Sequence, residues 1–140
     1  MLWLMAISTA LFGQVEPKNL EGIIAHAEDE DKNILLVFSG SDWCKPCIQL
    51  KDQILESNAF KDEKKNWIYL YLDFPYKKSN QLSKEERKRN ERLAELFNPQ
   101  GQFPFIAILD QEGNLQSTIN YSSGMKASEF IQQIRSYYEG

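Results

Sequence analysis

The only two cysteines of the 140-residue chain, Cys44 and Cys47, lie in the stretch SGSDWCKPC, directly after a run of bulky apolar residues. Two cysteines at this spacing have three common uses: a local structural disulfide, half of a metal site, or a pair that exchanges electrons with other proteins. Each use demands different surroundings. The residues around the pair therefore constrain both the fold and the function.

A structural disulfide and a metal site both fit the sequence poorly. A ring closed between Cys44 and Cys47 is short, and a short ring removes little conformational entropy from the unfolded chain. A metal site needs about four ligands, and beyond the two sulfurs the chain offers one histidine, His26, on a different predicted helix. We therefore predict no metal and no organic cofactor, and we assign His26 no role.

Hydrophobic patterns place the cysteines between a strand and a helix. The run NILLVFSG at 33–40 is apolar on both faces, as expected for a strand that helices cover on each side of a sheet. After it, Cys47, Leu50 and Ile54 recur at helical spacing, which predicts one helix starting at the motif. Cys44 is thus expected at a helix N-terminus, where unpaired backbone N–H groups and the helix dipole favour a thiolate.

This placement suits disulfide exchange. Cys47, one helical turn after Cys44, is close enough to attack a mixed disulfide on Cys44 and release a partner, leaving the redox-active disulfide Cys44–Cys47. Lys45 supplies additional positive charge for the thiolate. Pro46 fits because the first helical turn does not need its missing N–H.

The remaining segments predict one domain that alternates helices and strands. Asn19 is placed to cap a first helix, and Ser83 with Glu86 forms a capping box. Helical periodicity predicts helices from Asn19, over 83–97 and from Ala127. A continuous apolar run predicts a strand over 66–74, and the turn DQEGN predicts a β-hairpin within 103–121. The order predicts an α/β domain over 14–140, a central mixed sheet with helices on both faces.

The first residues differ from the rest of the chain. Met1 to Phe12 carries no charged side chain and is mostly apolar, whereas a membrane-spanning helix needs about 20 apolar residues. We therefore expect a signal peptide over 1–13, truncated at its start because no Lys or Arg precedes the apolar core. The mature chain is then exported, to a compartment that permits disulfides, and has no membrane span.

The net charge of −4 at a sequence pI near 5.1 gives no overall attraction to nucleic acid or anionic lipid. Neither is expected as a partner.

The stretches LLVFSGSDWCKPC and FPFIAILDQEGNL together resemble the thioredoxin superfamily, over about Asn19 to Tyr138. The resemblance implies a thioredoxin-like fold in which Cys44 attacks, Cys47 resolves and Trp43 shields the motif. It also implies that Pro104 matches the family's cis-proline. The Phe103–Pro104 bond is then cis, and the backbone of Phe103 pairs with an extended substrate peptide.

Two departures from the family pattern bear on activity. Many thioredoxins carry a buried Asp in the strand before the motif as proton acceptor for the resolving cysteine, but here Phe38 or a neighbour takes that place. A water, Asp42 or a group of the partner would have to accept the proton. Lys-Pro between the cysteines differs from the usual Gly-Pro, and the dipeptide does not tell a reductant from an oxidant.

The sequence thus predicts an exported bacterial, periplasmic thiol-disulfide oxidoreductase. Its expected substrates are protein thiols or disulfides, and a redox partner, for which a membrane electron carrier is a candidate, must regenerate it. Two alternatives stay open: a non-catalytic thioredoxin-fold module with a binding or chaperone-like role, and a specialised reductase for cytochrome c maturation.

Overall fold

The computed structural model describes residues 18–138, so the predicted signal peptide at 1–13 lies outside the described residues. These described residues form five α-helices and four strands, with a π-helix at Lys51–Leu55 and short 3-10 turns at Lys64–Asn66 and Lys78–Asn80. In chain order the elements are α1 (Leu20–Glu30), β1 (Asn33–Ser39), α2 (Lys45–Leu50), α3 (Asn58–Glu63), β2 (Trp67–Asp73), α4 (Lys84–Phe97), β3 (Phe105–Leu109), β4 (Leu115–Ile119) and α5 (Ala127–Arg135). Within residues 18–138, no helix has the length and apolarity to span a bilayer.

The four strands form one mixed sheet in the order β2-β1-β3-β4. β1 is parallel to β2 and antiparallel to β3, and β4 is antiparallel to β3. Because β1 and β2 are parallel and in register, their last residues, Ser39 and Asp73, are partners at the same edge of the sheet. The turn that carries the cysteines begins at this edge.

Helices cover both faces of the sheet, as the sequence predicts. On one face, α2, the π-helix, α3 and α5 bury apolar side chains against alternate strand residues, including Leu50, Ile54, Phe60, Phe130 and Ile134 over Leu35, Val37, Ile106 and Ile108. On the other, α1 and α4 do so through Ile23, Ala27 and Leu93 over Ile34, Leu36, Phe38, Leu70 and Leu72. Every residue of β1 from Ile34 to Ser39 is buried, which explains its continuous apolar run.

Local signals account for most element ends. The Asn19 side chain accepts a hydrogen bond from Gly22 N at 2.8 Å at the start of α1. At α4, Ser83 Oγ accepts from Glu86 N at 3.1 Å and donates to the Glu86 side chain at 3.1 Å. The predicted hairpin is formed by β3 and β4.

The helix predicted after the cysteines is present over Lys45–Leu55, its second half as a π-helix, but the short helix that follows was not predicted. The chain leaves the helix at Glu56, and a separate helix, α3, begins after Ser57, whose Oγ accepts from Phe60 N at 3.1 Å. With six residues, α3 is too short to show a helical period. Its one fully buried apolar residue, Phe60, therefore gave no pattern that sequence reasoning could detect.

Candidate active site

Cys44 and Cys47 form a disulfide at the start of α2. Both residues are buried, but Cys44, at 6% exposed, is more accessible than Cys47, at 1%. Of the two cysteines, Cys44 is therefore the one that an approaching partner would meet first.

Cys44 is the N-cap residue of α2. Its Sγ accepts a hydrogen bond from the backbone N–H of Cys47 at 3.3 Å, while its carbonyl oxygen accepts from Ile48 N at 3.0 Å. Lys45 and Pro46, in the first turn, are both exposed. A negative charge on the Cys44 sulfur would thus face a backbone donor and the positive end of the helix.

A tight turn at Gly40 sets the position of the residues before the helix. Gly40 O accepts from Cys44 N at 3.0 Å and from Trp43 N at 3.3 Å. The indole of Trp43 folds back over Gly40, where an added Cβ would lie 2.6 Å from Nε1 and closer still to two ring carbons. The turn therefore requires glycine, because any side chain would displace Trp43.

Trp43 links the cysteine turn to two other segments. Its Nε1–H donates to the carbonyl oxygen of Phe74 at 2.8 Å, and its ring packs edge-on against Phe103, with centroids 5.4 Å apart. Phe103 also contacts Phe74, at 5.3 Å. Trp43 nevertheless stays 50% exposed. It is both a packing residue and a surface beside Cys44.

The peptide bond between Phe103 and Pro104 is cis. Both residues are half-buried, and Pro104 immediately precedes β3. Since Trp43 adjoins Cys44 in the chain and packs on Phe103, the structure brings the cis-proline segment to the cysteine turn.

Two further residues of the turn bind the end of β2 and the segment that follows it. Ser41 donates to the Asp73 carboxylate from its backbone N–H at 3.0 Å and from its hydroxyl at 2.6 Å. The Asp42 carboxylate accepts from Tyr76 N at 2.8 Å, Lys77 N at 2.9 Å and Asn80 Nδ2 at 3.0 Å. Ser41, Asp42 and Trp43 thus hold the cysteine turn against residues 73–80.

These hydrogen bonds bear on the candidate proton acceptors for Cys47. The backbone N–H of Tyr76 and then the side chain of Asn80 hold the pKa of Asp42 below its usual value, and a low pKa makes a carboxylate a weak base. Asp42 is directed at the loop and is not favoured as the acceptor. The remaining candidates for the proton acceptor of Cys47 are a water molecule and a group of the partner protein.

The position in β1 at which the resemblance would place a buried Asp is apolar. Phe38 is fully buried and packs against Phe105 at 5.8 Å and Phe74 at 6.3 Å. Its neighbour Ser39 is 1% exposed and accepts a hydrogen bond from the Tyr71 hydroxyl at 2.8 Å. Burial raises the pKa of Tyr71, so this hydroxyl stays protonated as the donor.

Sequence reasoning missed Gly40, Ser41, Asp73 and the loop after β2 as parts of the site. A usable signal existed for Asp73, because a polar residue at the end of a buried strand parallel to β1 must lie at the edge that carries the cysteines. In residues 18–138, no group of three or more His, Cys, Asp or Glu side chains is arranged to hold a metal ion.

Comparisons with known proteins agree with this geometry. The model of a thioredoxin-like family matches residues 16–111. A disulfide bond reductase, DsbH of Chlamydia pneumoniae, is 32% identical over 114 residues, which are 81% of this chain and 66% of the relative. The chain thus spans just under two thirds of that relative's length.

Solved structures give the same fold. A DsbH oxidoreductase superimposes with a TM-score of 0.73 at 27% identity, over 97% of this chain and 92% of the other. The disulphide isomerase of Xylella fastidiosa Temecula1 gives 0.60 at 16% identity, over 93% and 99%. The oxidised C-terminal domain of DsbD of Neisseria meningitidis gives 0.56 at 17% identity, over 83% and 90%. At these lower identities the last two show the fold alone.

Proposed function

The chain belongs to the thioredoxin-like family, and on that premise we propose that it is a thiol-disulfide oxidoreductase that acts on cysteines of other proteins. One observation carries the proposal: Cys44, the more exposed of the two cysteines, is the N-cap residue of α2, and its Sγ accepts a hydrogen bond from Cys47 N–H at 3.3 Å. A relative named as a disulfide bond reductase and a structural neighbour named as an oxidoreductase support it.

In the reducing direction, the different environments of the two sulfurs give each of them one step of the exchange. The Cys44 thiolate attacks a disulfide of the substrate protein, forming a Cys44–substrate bond and breaking the substrate's S–S bond, and the released substrate thiolate takes up a proton. Cys47, deprotonated by water or by a group of the partner, then attacks Cys44 Sγ. The mixed disulfide breaks, the second substrate thiolate leaves and is protonated, and Cys44–Cys47 closes. The substrate has gained two electrons and two protons.

The residues around the sulfurs have supporting roles in this proposal. Lys45 and the start of α2 stabilise the Cys44 thiolate, and Pro46 presets the first helical turn. Trp43 shields one side of the disulfide. The Phe103 backbone, before the cis bond to Pro104, receives an extended segment of the substrate.

The cycle needs a two-electron donor. A dithiol protein reduces Cys44–Cys47 by the same exchange run in reverse, and a membrane-bound electron carrier is our candidate for that donor. We place the cycle in the bacterial periplasm because the apolar, uncharged stretch from Met1 to Phe12 is typical of an export signal. Sequencing the N-terminus of the chain purified from a periplasmic fraction tests this: recovery with Met1 intact in the cytoplasm would argue against export.

Insulin reduction by dithiothreitol tests the activity. The unchanged protein should accelerate insulin precipitation, and Cys44→Ser should leave only the rate of dithiothreitol alone. Ser122→Ala, at an exposed position, is the control and should behave as the unchanged protein. Equal acceleration by the Cys44→Ser variant would show that the cysteines are not the catalyst and would favour a binding module.

A further inference from the structure

The loop after β2 is hydrogen-bonded to the turn that carries Cys44. We call residues 74–80 the flanking loop. Trp43 binds its first residue through the Phe74 carbonyl, and Asp42 binds Tyr76 N, Lys77 N and Asn80 Nδ2. The loop is therefore held in place beside the nucleophile, and whatever it exposes is presented to any molecule that reaches Cys44.

The flanking loop exposes an aromatic ring and two cations. Tyr76 is 82% exposed, and Lys77 and Lys78 are both exposed. Lys45, inside the cysteine motif, is exposed as well. Across residues 18–138, none of these three lysines forms an ion pair. Their charges face solvent.

Two carboxylates lie at the turn and offset the lysine charges only in part. Asp42 accepts three hydrogen bonds from the loop and attracts Lys77, and Asp73 accepts both hydrogen bonds from Ser41, but the three lysines outnumber these two acids. The cis-proline segment on the other side, Gln102–Phe103–Pro104, is uncharged. A chain of net charge −4 thus presents positive charge around its nucleophile.

We propose that the flanking loop and Lys45 form a docking surface for an acidic segment that flanks the reactive cysteine of the partner protein. The proposal rests on the proposed function, because the surface is useful only if a partner approaches Cys44. Opposite charges raise the rate at which partners meet more than they change the chemistry of exchange. Tyr76 adds exposed aromatic area of the kind enriched at protein interfaces.

Oxidation of the reduced protein by three disulfides measures this preference. Two are disulfide-bonded peptides that differ only in Glu or Lys beside the cysteine, and the third is uncharged bis(2-hydroxyethyl) disulfide. Reactions are quenched with an alkylating reagent and quantified by mass. The Glu peptide should react about threefold faster than the Lys peptide or more at low ionic strength, with the ratio falling toward one as salt screens the charges.

Two double variants locate the effect. Lys77→Gln/Lys78→Gln removes the loop cations, and Lys64→Gln/Lys65→Gln removes two adjacent exposed lysines at the amino end of β2, opposite the cysteines. The first should lower the Glu-to-Lys rate ratio toward one, and the second should leave the ratio as in the unchanged protein.

A ratio near one in the unchanged protein, or an equal fall in both double variants, would overturn the docking surface while leaving the proposed function intact. No reaction with the uncharged disulfide would overturn the proposed function and, with it, the docking surface.

Discussion

Trp43 donates its indole N–H to the backbone carbonyl oxygen of Phe74, at 2.8 Å and across 31 positions of the chain. This bond fastens the residue next to Cys44 to the segment that follows β2. It explains how an aromatic ring that is 50% exposed keeps a defined place. The geometry depends on Gly40, whose missing side chain leaves the space that the indole fills.

Gly40→Ala should destabilise the protein by about 1–3 kcal/mol, because the new methyl group overlaps the indole of Trp43 and a well-packed site tolerates extra volume poorly. Urea unfolding measures the loss. In a Trp43→Ala background the same substitution should cost much less. Equal losses in both backgrounds would show that the indole is not what Gly40 accommodates.

Asp42→Ala should release the flanking loop, because it removes the acceptor for two backbone N–H groups. Hydrogen exchange at Tyr76 and Lys77 should become faster. Asp110→Ala is the matched control, since Asp110 accepts from Glu112 N and Asn114 N in the β3–β4 turn. It should speed exchange there and not in the flanking loop, and unchanged exchange at Tyr76 in the Asp42 variant would contradict the assignment.

Glu63→Gln should destabilise the protein by about 1–3 kcal/mol, because three donors lose a charged acceptor that is itself buried. Glu63 is 1% exposed and accepts from Trp67 Nε1 at 3.1 Å, Arg135 Nε at 2.9 Å and the Tyr138 hydroxyl at 2.7 Å. Thermal or urea unfolding measures the effect. Asp62→Asn, next in the chain and exposed, should change stability by no more than about 0.5 kcal/mol.

The stability lost in Glu63→Gln should itself depend on pH. Burial raises the pKa of Glu63, but hydrogen bonds from Tyr138, Arg135 and Trp67 outweigh burial and hold the pKa below its usual 4.5. The unfolded state therefore binds more protons than the folded state. The stability that ionised Glu63 contributes is fully present above about pH 4.5 and is lost as the pH falls through the pKa of the folded state. Urea unfolding of both proteins from about pH 7 to about pH 3 should show their difference shrinking with acid. A difference that stays constant or grows would contradict the pKa shift.

Cys47→Ser should accumulate a mixed disulfide between Cys44 and a substrate protein, because the sulfur that resolves it is gone. Intact mass of the complex, followed by mapping of the linked peptide, identifies the bond. The Cys44→Ser variant should trap far less, since Cys47 is 1% exposed. Equal trapping by both variants would mean that the two sulfurs are equally accessible, which conflicts with their assigned roles.

The cysteine pair, the buried strand before it, the capped helices at Asn19 and Ser83 and the hairpin could all be predicted from the sequence. Each is encoded over a short stretch: apolar periodicity depends on neighbours within two turns or a few strand residues, and a cap acts within its first turn. Family resemblance added the fold, which the family match and the solved structures confirm. The helix α3 escaped prediction because it has too few residues to show a period.

The surroundings of the sulfurs depend on contacts between segments far apart in the chain. Ser41 meets Asp73 across 32 positions, Asp42 meets Asn80 across 38, and Glu63 meets Arg135 across 72. No periodicity or local motif signals such pairs, because each depends on the register of β1 with β2 or on the packing of α5 against α3. Asp42 illustrates the difference: as a sequence position it was a candidate base for Cys47, but in the folded chain its oxygens are bonded to the flanking loop.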